Sequence, residues 1–184
     1  MKIGPRMQLQ GSVGVAASVA VCAVVALGAI TYARARTNAP SKSIVQDGAI
    51  VTEHASGTFD VKLAPVGEPD NADGLTLGKY SLDKQYHGDL EAVAKGTMLT
   101  AGTEVKGSAG YVAIERVTGA LKGHKGSFVL QHNGTLTRGA PQQNIVVVPD
   151  SGTGQLTGLT GKLTVIIENG NHSYEFDYSL PPSQ

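Results

Sequence analysis

Tryptophan is absent, cysteine occurs once and phenylalanine three times in the 184 residues. A single cysteine excludes a disulfide framework and any cysteine metal site. That residue, Cys22, stands in an apolar run, where it reads as a small buried hydrophobe. Val21 before it is not the small residue that a lipoprotein cut would need. Charge is scarce and balanced, with 15 Lys and Arg against 15 Asp and Glu. No basic cluster marks a nucleic-acid-binding face, and from Ser56 onward carboxylates outnumber cations, so no nucleic acid is expected as a partner. P-loop, H-E-x-x-H, serine-nucleophile and paired-cysteine redox motifs are all missing. No cofactor and no metal are therefore assigned.

What is present falls into three parts. Lys2 and Arg6 precede an uncharged apolar stretch over 11–33, and Arg34 and Arg36 follow it. About 20 apolar residues suffice to cross the hydrocarbon layer as a helix. A cleaved secretory signal has a shorter core, about 7–15 residues, before small residues at the cut. Residues 1–36 thus read as a signal anchor or a signal peptide. Either takes the rest of the chain out of the cytoplasm, membrane-anchored or secreted, with residues 11–33 as the membrane contact. Residues 37–55 mix polar and small side chains without a period and read as a linker.

Residues 56–182 hold most of the 24 glycines and no helical period. Strand-like runs occupy 57–65, 75–88, 91–101, 110–123, 125–139, 143–151, 159–168 and 171–180. Eight short antiparallel strands at this spacing point to a sandwich or a closed barrel. Closure removes exposed strand edges. The expected fold class is all-β, a small eight-stranded antiparallel β-barrel preceded by an N-terminal hydrophobic helix. Such a barrel holds packed side chains or one small ligand.

Three turns set pairings. Asn169-Gly170 is a strong two-residue hairpin signal. It pairs Ile167 with His172, Val165 with Tyr174 and Leu163 with Phe176 on one mostly apolar, inward face. A reversal at Gly123-His124 sets Gly119 opposite Phe128, Val117 opposite Leu130, and Glu115 opposite His132. Direct partners have Cβ atoms about 4.5–5.5 Å apart. Gly88-Asp89 suggests a third hairpin, pairing Tyr86 with Glu91 and Lys84 with Val93. Neither of its faces is cleanly apolar, so no inside is assigned there.

The segments Asp83-Lys84 with His87-Gly88-Asp89, GYVAIERVTG at 110–119, GSFVLQHNG at 126–134, VPDSGTGQLTGLTG at 148–161 and HSYEFDYSLP at 172–181 together resemble a bacterial domain family of unknown function. Members of that family look like the allene oxide cyclase barrel, which implies the same eight-stranded, allene oxide cyclase-like fold but no activity. The cyclase's active-site residues have no matching motif here, and none is carried over.

Glu115 and His132 are the candidate catalytic residues. Side by side inside a barrel, a carboxylate and an imidazole could move a proton or orient a polar ligand group. With Tyr111, Phe128 and Leu130 they form the candidate ligand-binding face. Three functions stay open. The first is binding of a small, partly apolar molecule in the lumen. The second is an isomerase or cyclase that uses Glu115 and His132 for proton transfer. The third is a solidly packed structural or interaction module. Asp83, Gln85 and His87 share one strand face and Lys84 the other, reading as a solvated strand end without metal-ligand spacing. GTGQLTGLTG over 152–161 looks like a dinucleotide loop, but the strand that follows it rules out the required helix. Its glycines fit a tight bend and a close backbone crossing. Nothing sets the oligomeric state.

Overall fold

The computed structural model describes residues 51–181. The expected helix over 11–33 and most of the linker lie outside the described residues. Nine strands follow in order: β1 Glu53–Pro65, β2 Asp70–Ala72, β3 Leu75–Gly88, β4 Leu90–Thr103, β5 Ala109–Leu121, β6 His124–Thr137, β7 Ala140–Val147, β8 Thr160–Glu168 and β9 Asn171–Ser179. One turn of 3-10 helix covers Gly154–Leu156. No helix among the described residues is long and apolar enough to cross a membrane.

Every neighbouring pair is antiparallel, and β1 pairs with both β9 and β3, which closes the sheet. The result is the eight-stranded barrel, with β2 added as a short flap on β3. Strand β1 starts at Glu53, so the last residues of the expected linker belong to the barrel, and Ala55 is fully buried. Alternation explains why these runs are strands. In β5, Ala113, Glu115, Val117 and Leu121 are buried while Val112, Ile114, Arg116 and Thr118 are exposed.

Four reversals share one backbone device. Asp73-Gly74, Lys122-Gly123, Arg138-Gly139 and Asn169-Gly170 all have positive φ at both positions, the conformation that matches strand twist. At Asn169-Gly170 the expected register holds, with Leu163 opposite Phe176, Val165 opposite Tyr174 and Ile167 opposite His172.

The other two hairpins differ from expectation. The β5–β6 turn uses Lys122-Gly123, one residue earlier, because glycine belongs in the second position. Glu115 therefore lies opposite Leu130, and His132 opposite Ala113. Glu115 and His132 are diagonal rather than direct partners. The slip changes the register by two, so both keep the same face. At β3–β4 the loop takes one extra residue, and Tyr86 faces Ala92 while Lys84 faces Ala94. The extra residue turns Leu90 into the core, where its N–H donates to the Tyr174 hydroxyl at 2.8 Å. An odd slip exchanges faces, and it sends Lys84 inward rather than to a solvated strand end.

The two ends of the barrel are built differently. At the end where β1 starts and β9 finishes, Leu90, Leu121, Leu156, Leu159 and Tyr178 are almost fully buried. Strand β6 pairs with β7 only from Leu130 onward. The loop after β7 covers the free edge before it. Gln155 Oε1, Thr153 Oγ1 and Ser151 Oγ accept from the N–H groups of Lys125, Ser127 and Val129 at 2.7, 2.9 and 3.1 Å. A methyl on Gly152 would overlap the Leu156 carbonyl, so this loop is the tight crossing the glycines suggested. At the other end, inward-facing Val61, Leu63, Tyr80, Val165 and Ile167 remain partly exposed.

Candidate functional site

Between the two ends lies a band of polar side chains. Inward positions on β4 carry Ala92, Ala94 and Gly96, which leave room beside them. A methyl at Gly96 would overlap Glu115. Across this low row, Lys84 and Tyr86 of β3 reach Glu115 of β5, two strands away.

Three donors converge on one oxygen. Glu115 Oε1 accepts from the Tyr86 hydroxyl at 2.8 Å, Lys84 Nζ at 3.0 Å and His132 Nε2 at 3.1 Å. Lys84 also donates to the Tyr86 hydroxyl at 3.2 Å. Its ammonium sits 4.8 Å from the Phe59 ring centre and 5.4 Å from that of Tyr86, within cation–π range. Glu115 is 0% exposed and His132 is 4% exposed. Among the described residues, Glu115 Oε2 is the buried side-chain oxygen or nitrogen without a hydrogen-bond partner.

Burial by itself would push the Glu115 carboxyl up. The His132 hydrogen bond and the Lys84 charge outweigh it and hold the group at about 2. Burial, with Glu115 beside it, holds the Tyr86 phenol well above its ordinary value. Tyr111 is raised by burial and by the Glu115 charge. His172, its ring tilted 44° to that of Phe59 with centroids 5.1 Å apart, is lowered by burial and then by Lys84.

The structure brings Glu115 and His132 together on one face, as the hairpin pairing suggested but diagonally rather than directly opposite, and adds Lys84 and Tyr86, which sequence reasoning missed. The small alternating residues of β4 were the available clue, since they call for long side chains from neighbouring strands. Phe128 and Leu130 are fully buried, Phe128 stacking on Phe176 at 5.9 Å in the closed half. Tyr111 lies nearer the open end, its ring against Gly134, where a methyl would overlap it. Asp83 and His87 are exposed and face away from His132, with His87 bonded to Asp60 at 3.3 Å.

A cleft of about 1150 Å³ follows one row of the sheet through Gly78, Thr100, Tyr111, Gly134 and Gln143. Most of its wall comes from outward-facing neighbours such as Leu77, Leu99 and Val112, which are about half exposed. It borders the outer wall at the open end, and of the candidate ligand residues only Tyr111 lines it.

The family described as protein of unknown function (DUF3224) matches residues 55–178. A crystal structure of a DUF3224 protein of unknown function from Shewanella oneidensis MR-1 is 50% identical, with a TM-score of 0.69 over 72% of this chain and 100% of that one. No curated protein matches the sequence. These comparisons do not extend the likeness to the cyclase barrel.

Proposed function

The chain belongs to the DUF3224 family, and on its site geometry we propose that it binds a small, neutral, partly apolar molecule in the open half of the barrel. The observation that carries this reading is the unpartnered, buried Oε2 of Glu115. A buried acceptor without a donor costs about 1–3 kcal/mol. Here it sits below inward-facing side chains that stay partly exposed, among them Val61, Val165 and Ile167. Lys84 and Glu115 offset each other's charge, so the site suits a hydroxyl or N–H group on an uncharged, apolar body. The tightly held carboxylate, at about 2, is a poor base near neutral pH. That argues against the isomerase alternative with Glu115 as base.

N-phenyl-1-naphthylamine, a neutral apolar fluorophore with one N–H, tests the reading. Saturable binding is expected, weakened about tenfold in a Glu115→Gln/Lys84→Met variant that removes both charges together. Equal binding by wild type and variant would sink it. For location, the reading carries over the expectation that residues 11–33 take the barrel out of the cytoplasm. Protease accessibility in whole cells and N-terminal sequencing test that part.

A further inference from the structure

The barrel wall has one weak seam. Strands β7 and β8 are paired only at Ile145 with Leu163 and Val146 with Lys162. Toward the open end, Ala140–Asn144 continue to pair with β6, and Thr164–Glu168 with β9, but not with each other. Extending the register sets Gln143 opposite Val165. In place of a backbone bridge, the Gln143 carboxamide spans the gap. Its Nε2 donates to the Val165 carbonyl at 2.6 Å, and its Oε1 accepts from the Val165 N–H at 3.3 Å. One side chain thus imitates a residue of strand. Pro141 stands on the β7 side, a residue that sheets confine to edges because it has no N–H to donate. The β8 side offers Val165, Ile166 and Ile167, all partly exposed.

We infer that this seam is a side entrance to the lumen, held shut by the Gln143 carboxamide, through which an apolar molecule passes. The inference rests on the lumen-binding reading for what enters. Two side-chain hydrogen bonds hold the gap where a continued ladder would add backbone bonds at every second residue on each strand. Local opening needs Gln143 to rotate away from Val165 and the ends of β7 and β8 beyond the Ile145–Leu163 bridge to swing apart, which loosens the pairing of Thr164–Glu168 with β9. The passage is bordered by apolar side chains on the β8 edge, and no charged residue of β7 stands across it.

Hydrogen exchange on the full chain tests the opening without any ligand. In Gln143→Ala, amides across Thr164–Glu168 should exchange at least tenfold faster, while Leu163 and Ile145 keep their wild-type rates. Acceleration confined to the Val165 amide would mean a lost bond without an opening, and would overturn the inference. Stopped-flow with N-phenyl-1-naphthylamine tests the route. Association and dissociation should both accelerate about tenfold in Gln143→Ala, leaving the Kd within threefold. Unchanged rates would put entry at the mouth of the barrel and overturn the side entrance. Failure of the fluorophore to bind wild type would sink the lumen-binding reading instead, and the exchange pattern would still decide whether the seam opens.

Discussion

The two ends of this barrel face the same problem, a strand edge that runs out of partners, and meet it differently. At the sealed end, Ser151, Thr153 and Gln155 supply three acceptors to the free edge of β6, and the same loop drives Leu156 and Leu159 into the core. At the open end, Gln143 alone bridges β7 and β8, and the inward residues nearby stay partly exposed. Full apolar burial goes with the redundant closure, and partial exposure goes with the single one. The polar band around Glu115 lies between them, where the inward side chains change from fully to partly buried.

Breaking that band should have the largest effect. Removing one member of a buried ion pair strands the other, at about 3–5 kcal/mol. Glu115→Ala should lose that much stability in urea unfolding, and Glu115→Leu with Lys84→Met should recover most of it. Next is the packing contrast. Leu156→Ala should cost about 2–5 kcal/mol, as for other fully buried leucines. Ile167→Ala at the open end should cost clearly less, and equal losses would erase the distinction between the ends.

Acid sharpens the comparison further. Glu115 is held at about 2 in the folded protein against an ordinary 4.5, a depressed value. Its contribution is therefore full above the ordinary value and is lost as pH falls from there toward 2. Thermal unfolding between pH 6 and pH 2.5 should show this loss in wild type and not in the Glu115→Leu/Lys84→Met variant. The smallest effect is expected on the outer wall. His54 is raised by its hydrogen bond to Asp177, against burial, and by Glu175. A raised value means support that is present below the ordinary 6.5 and fades as pH rises through the folded value. The group is exposed, so His54→Gln should change stability by about 0.5 kcal/mol or less at pH 6, and an NMR titration of the ring should report the raised value.

Strand alternation and the Asn169-Gly170 signal made the barrel and one register legible, because both are local. Glu115 and His132 were legible as neighbours because a slip of two leaves faces unchanged. Lys84 was not legible. The run DKQYH is polar on both faces, and only the extra loop residue that buries Leu90 decides which side is inward. Its contact with Glu115 skips a strand, and no hairpin rule reaches that far. The free Oε2 of Glu115 depends on where three side chains stop, which spacing does not encode.

Strand β1 enters and β9 leaves at adjacent positions, with Glu53 opposite Tyr178. Both connections to the remaining polypeptide therefore emerge from the plugged base. A support joined to either terminus would hold the molecule as a stem holds a cup, with the rim and the β7–β8 seam turned away from the attachment. Fusing or immobilising the protein through its ends should for that reason leave the rim and the β7–β8 seam uncovered.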